Sequence, residues 1–98
     1  MILVTGSASV KPEHIDKAIA LSLEHVHRSR TEPGCISHAV HRDVEDENRL
    51  VFVEQWADAA ALKAHFMVPA SRAFVADLGA LCGTRPDLAI YEASRVQF

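Results

Sequence analysis

The sequence predicts an α+β fold in which a four-stranded antiparallel sheet carries its helices on one face. Three observations point there. The chain has 98 residues, the length of one domain spanning 1–98. Its periodic segments follow the order β-α-β-β-α-β, which is the ferredoxin-like split βαβ arrangement. One strand, RLVFVEQW at residues 49–56, is apolar on both sides: Leu50, Phe52 and Trp56 face one way, Val51 and Val53 the other. Helices cover only one face of such a sheet, and a strand apolar on both faces needs cover on both. A second copy of the same sheet supplies it most simply, so a homodimer is expected.

The elements follow in order. Residues 2–10, ILVTGSASV, are apolar or small without helical spacing and predict a strand. Pro12 suits a first helical position, where its missing N–H costs nothing. Glu13 and Asp16 suit the positive end of the dipole, and Ile15, Ala18, Ile19, Ser22 and Val26 recur at helical spacing. Pro33 and Gly34 stop that helix near Thr31. Residues 35–42 and 49–56 predict two strands joined by the acidic connection DVEDEN, hence antiparallel neighbours. Asp58 can cap a helix with the body AAALKAHF, which Pro69 interrupts. A further helical segment runs from about Ala70 to Leu81, with Phe74, Leu78 and Leu81 near one face and Gly83 as its stop. Residues 87–97 alternate well enough for a last strand.

Composition removes several function classes. Lys plus Arg number 10 against 13 for Asp plus Glu, a formal charge of −3 with no basic cluster. Nucleic acid is therefore not an expected partner. The longest stretch without a charged residue or histidine, MILVTGSASV, is too short and too polar to span a bilayer, and it lacks the basic start of a signal peptide. No membrane association is expected. Cys35 and Cys82 lie far apart and form no CxxC pair, so they are expected as reduced, buried thiols of a cytoplasmic protein. The four glycines are scattered and make no phosphate loop. Asp43, Glu45, Asp46 and Glu47 form a solvated turn without the spacing of a calcium loop.

Residues 32–66, EPGCISHAVHRDVEDENRLVFVEQWADAAALKAHF, resemble the antibiotic biosynthesis monooxygenase domain, a family of small dimeric α/β barrels. The resemblance rests on an E-x-G-C start to the second strand, an acidic hairpin, and then E-x-W-x-D-x-x-A-L-x-x-H. Those positions are Glu32, Gly34, Cys35, Glu54, Trp56, Asp58, Ala61, Leu62 and His65. It implies the topology derived above, a homodimer, and catalysis without a cofactor on quinols or polyketide-type aromatics. Three departures matter. The Pro-His pair of many quinol-oxygenase-like members is absent, since Ala70 follows Pro69. The haem-degrading branch carries Asn, Trp and His where Ser7, His65 and Val75 stand here, which argues against haem. The tail Gly83-Thr84-Arg85-Pro86 resembles an isomerase branch that acts on a phosphorylated signalling sugar.

His65, Phe66 and Pro69 follow Leu62 at spacings of 3, 4 and 7, so His65 borders the apolar face of its helix, and an imidazole there can serve as a general base near neutral pH. Glu54 shares a strand face with Leu50, Phe52 and Trp56. A carboxylate on such a face must find a partner or shift its pKa upward, which makes Glu54 either a structural partner or a second proton handler. Phe52, Trp56, Phe66, Phe74 and Tyr91 are candidate walls for an aromatic ligand, with core packing the competing role for Trp56. Local spacing offers no metal site. His25 and His27 point about 200° apart on a helix, and His38 and His41 face opposite sides of a strand. A metal centre could be assembled only from distant residues, and none is expected. The alternatives to a metal- and flavin-free monooxygenase are an isomerase of a small signalling metabolite and a non-catalytic dimeric module that binds a small molecule.

Overall fold

A computed structural model describes residues 1–98. Strand β1 is Ile2–Ser9, and a 3₁₀ turn over Pro12–His14 leads into helix α1, Ile15–Ser29. Strands β2, Cys35–Arg42, and β3, Arg49–Trp56, form the hairpin. Helices α2, Ala59–Met67, and α3, Pro69–Leu81, follow, and strand β4, Asp87–Glu92, closes the chain. The sheet order is β2-β3-β1-β4 with every neighbouring pair antiparallel. The predicted order of elements is therefore the observed one.

Two boundaries moved for physical reasons. Pro12 opens a 3₁₀ turn, and α1 proper begins at Ile15. β4 ends at Glu92 rather than near residue 97, because its one sheet neighbour is β1 and their pairing runs out at Ile2↔Glu92. A last backbone bond joins Ala93 N–H to the Met1 carbonyl at 2.9 Å, and beyond it the alternating residues have no strand to pair with.

The helix-facing side of β3 carries the logic of the core. Leu50 and Phe52 join Ala8, Val10, Ala18, Leu78, Leu81 and Cys82 in one buried cluster. Trp56 joins Ile2, Val4 and Leu62 in another. Glu54 lies between Phe52 and Trp56 on that same side, so a polar site interrupts the core at one known register position. On the opposite side of the sheet Leu3, Thr5, Val51 and Val53 are only half-buried.

Two local devices place the site. Asp58 caps α2, its Oδ1 accepting the Ala61 N–H at 2.8 Å, and this fixes where Leu62 and His65 turn inward. Val68, extended, separates α2 from α3, whose first residue is Pro69. Gly34 has φ +82°, and a Cβ there would stand 2.4 Å from the Ala61 Cβ. Only glycine combines that backbone with so close an approach of the α1–β2 loop to α2. Gly34→Ala is expected to cost about 2 kcal/mol or more, from left-handed strain and overlap together. Denaturant unfolding checks it, and an unchanged midpoint would show that the loop yields freely.

Candidate active site

Three imidazoles from three elements meet at the polar interruption of the core. His25 comes from α1, on the same helical stripe as Ala18, Ser22 and Ser29, all buried. His38 comes from β2, directly across the ladder from Glu54. His65 comes from the last turn of α2. Their ring centroids form a near-equilateral triangle, with sides of 5.2 Å for His25–His38, 5.3 Å for His25–His65 and 5.6 Å for His38–His65. All three are buried, His38 at 1% and His65 at 3% exposure.

Each ring is held differently. His65 Nδ1 lies 2.8 Å from Glu32 Oε1. A carboxylate can only accept there, so Nδ1 carries the proton and the lone pair of neutral His65 sits on Nε2. The Arg28 guanidinium donates to His25 Nδ1 at 2.8 Å. Since Arg has no lone pair to offer, His25 must be the acceptor and therefore neutral. His25 also stacks flat on Phe74, with centroids 4.0 Å apart and planes at 7°. Burial, then the neighbouring His38, His65 and Arg28 charges, push its pKa down to about 3, against a smaller opposing pull from Glu54. His38 Nε2 stands 3.2 Å from Glu54 Oε1, a charge contact rather than a hydrogen bond, and neither of its ring nitrogens is hydrogen-bonded.

Glu54 resolves its own burial without giving up its charge. Burial alone would push its pKa up, but the His38 imidazole and the Trp56 Nε1–H, 2.9 Å from Oε1, together outweigh that and hold it below the usual carboxylate range. The partners that its position demands are His38 and Trp56. The carboxylate on His65 is Glu32 from the α1–β2 loop, not Glu54. Burial raises both cysteine thiols above their ordinary value, and Glu32 and Glu54 add to the effect at Cys35. Neither is set up as a nucleophile.

The cluster opens onto a cavity of about 580 Å³. His25, His38, Glu54 and His65 line its polar side; Phe52, Phe66, Phe74 and Leu78 supply apolar wall. Of the candidate residues, the fold brings His65, Glu54, Phe52, Phe66 and Phe74 to this cavity and leaves two away from it. Trp56 is 0% exposed and lies behind His65, ring centroids 4.6 Å apart, as a core residue rather than a wall. Tyr91 pairs with Leu3 on the side of the sheet away from the helices and is 52% exposed. Sequence spacing missed the roles of His25, His38 and Glu32. His25 did carry a signal, because it falls three residues after Ser22 on the buried stripe of α1.

The pH dependence of stability follows from these shifts. Unfolded His25 takes up a proton near pH 6.5, while the folded group resists it down to about 3. The unfolded state therefore binds more protons across that window, and stability falls as pH drops below about 6.5. Glu54, with its lowered pKa, acts in the same direction below 4.5. Metal-free protein is expected to show a falling urea midpoint between pH 7 and pH 5, and His25→Gln a flatter profile; equal slopes would contradict the assignment.

Comparison with known proteins now gives the class. The chain belongs to the antibiotic biosynthesis monooxygenase family, whose model matches residues 1–77. It is similar to a Synechocystis protein, sll1783, described as uncharacterized, at 36% identity over 96 residues. That match takes in 98% of this chain but 65% of the relative, so the chain spans just under two thirds of that protein's length. It is 33% identical over 76 residues to a Bacillus subtilis protein named "Putative monooxygenase YcnE", covering 78% of this chain and 80% of that one. A crystal structure described as an antibiotic biosynthesis monooxygenase matches with TM-score 0.90 and 29% identity over 97% of this chain and 100% of that one. A Deinococcus radiodurans structure matches in fold with TM-score 0.94 at 23% identity, over 100% of this chain and 97% of that one. The family motif acquires a physical meaning in this site. Gly34 lets the loop reach α2, Glu32 orients His65, Asp58 caps the helix that carries it, and Glu54 with Trp56 backs it.

Proposed function

We propose that this protein is a monooxygenase that acts on a small quinol or polyketide-type aromatic with molecular oxygen, using neither flavin nor metal. One observation carries the reading: His65, held through Nδ1 by Glu32 and with Nε2 not bound to protein, stands in a buried cavity walled by aromatic rings. His65 Nε2 would take the hydroquinone proton. The resulting anion passes one electron to oxygen, and the radical pair recombines to a ring hydroperoxide. Loss of water leaves one oxygen atom on the ring as a hydroxyquinone, with every electron supplied by the substrate. Phe52, Phe66 and Phe74 would hold the ring away from water, and Glu32 would stabilise the imidazolium. Glu32 also lines a second cavity, of about 330 Å³, on which His65 opens too, and this offers the proton a way out.

The test is oxygen uptake by chelator-treated protein with a panel of hydroquinones and anthrones, scored against His65→Gln. Uptake that the substitution leaves unchanged would defeat the reading. An isomerase reading has one feature in its favour: Arg72 and Arg85 line the cavity without ion-pair partners and suit an anionic substituent. In that chemistry His65 would shift a proton beside a carbonyl and consume no oxygen. A protein that binds the aromatic without turning it over would be the non-catalytic module.

The same proposal includes a homodimer, with the second copy on the side of the sheet that bears Leu3, Val51, Val53 and Tyr91. Two such sheets should bury more than about 2,000 Å² in total. Sedimentation at micromolar concentration is expected to give twice the chain mass, and a stable monomer would rule the arrangement out. No helix is long and apolar enough to cross a membrane.

A further inference from the structure

We infer that His25, His38 and His65 form a binding site for one divalent transition-metal ion, of the zinc or copper class, a use of the cluster that goes beyond the metal-free oxygenase reading. The donor atoms of the three imidazoles all lie within 4.8 Å of one another. An ion with bonds of about 2.0–2.1 Å in tetrahedral geometry spaces its ligand nitrogens about 3.3 Å apart. The rings therefore need to close by no more than about 1.5 Å, a movement within the reach of small side-chain rotations.

Four features prepare the cluster for a cation. His38 is buried at 1% exposure with no hydrogen bond to either ring nitrogen, Nδ1 wholly unpartnered and Nε2 met only by Glu54 Oε1 at 3.2 Å, a costly state that a bound ion relieves. Glu32 holds His65 through Nδ1 and presents Nε2, which is the carboxylate–histidine arrangement that raises ligand basicity at metal centres. Glu54 and Glu32 place two carboxylates against the rings. The cavity of about 580 Å³ gives the ion an entry path and leaves a fourth position for water. Three neutral imidazoles favour zinc, copper or nickel over magnesium or calcium, and copper over zinc in affinity.

Arg28 opposes the ion and sets a second rearrangement beside the closing of the rings. Its donation to His25 Nδ1 leaves the ring proton on Nε2. Binding at Nε2 requires that proton to move to Nδ1 and Arg28 to turn away. The cost is a single hydrogen bond, and the Arg28 Nε has no partner to lose. The two uses of the cluster compete, because an ion on His65 Nε2 takes the lone pair that would accept a proton.

The experiment is a calorimetric titration of chelator-stripped protein with zinc, and a fluorescence titration with copper. Trp56 is the sole tryptophan, and its ring lies 4.6 Å from His65. One ion per chain is expected, with copper quenching Trp56. His38→Gln and His65→Gln, on different elements, should each weaken zinc binding by about tenfold or more. The exposed histidines serve as controls, and His27→Ala and His41→Ala should leave binding unchanged. If His38→Gln fails to fold, His65→Gln alone decides. Absence of binding at micromolar ion, or binding lost only in the exposed-histidine variants, overturns the site. Since the readout is binding, it stands or falls separately from oxygen consumption.

Discussion

Replacing His65 with Gln is expected to lower quinol-dependent oxygen consumption by about 10²–10⁴-fold, the range that a positioned general base contributes. The argument is geometric. Glu32 fixes the tautomer by accepting from Nδ1 at 2.8 Å, so the basic nitrogen is the one not bound to protein. Glutamine keeps much of the volume but offers no base of useful strength. Glu32→Gln should cost less, because the amide oxygen can still accept from Nδ1–H while the negative charge facing the imidazolium is lost. That variant should lower kcat more than it raises KM, since the carboxylate acts on the charge that develops after proton transfer. Wild-type rates in His65→Gln would remove the base assignment. The fold, which rests on sheet register and packing, would be untouched.

The dependence of that dyad on Glu32 shows where sequence reasoning reached and where it stopped. Strand β3 was legible because its alternation is complete: every second residue from Leu50 to Trp56 is buried. Its polar member, Glu54, was legible as a residue in need of a partner. Which partner was not, because His38 reaches Glu54 through a hairpin register set by the Asp43–Asn48 connection. In that turn Asp43 accepts from Glu45 N–H and Arg49, and Asp46 accepts from Asn48 N–H, bonds that alternation cannot encode. Glu32 and His65 are 33 residues apart and meet only because Gly34 lets the loop touch Ala61. The histidine triangle escaped for a related reason. Spacing rules test neighbours along one element, and His25, His38 and His65 come from three. Trp56 and Phe52 share a face, yet one is a core residue and the other a cavity wall. Depth along the strand depends on which helix lies above, and α2 covers Trp56 with Leu62. Tyr91 fell on the far side because the pairing of β4 with β1 puts it opposite Leu3, a phase set by tertiary register.

Trp56→Ala is expected to destabilise the protein by about 3–5 kcal/mol, the usual cost of truncating a fully buried tryptophan. Two losses combine. The indole is wholly buried among Ile2, Val4 and Leu62, so its removal leaves a cavity that these side chains fill only in part. Its Nε1–H also donates to Glu54 Oε1 at 2.9 Å, and a buried carboxylate that loses a donor is less stable as an anion. Trp56→Phe separates the two. Phenylalanine restores most of the packing but none of the donation, so it should cost about 1–3 kcal/mol and let the Glu54 pKa rise. Protein concentration must be held fixed in both unfolding series, because the apparent stability of the proposed dimer would depend on it. If Trp56→Ala loses less than about 1 kcal/mol, the indole is not core. If Trp56→Phe matches the wild type, the bond to Glu54 contributes nothing, and the neighbouring histidines, His38 first, must account for the charge that Glu54 keeps.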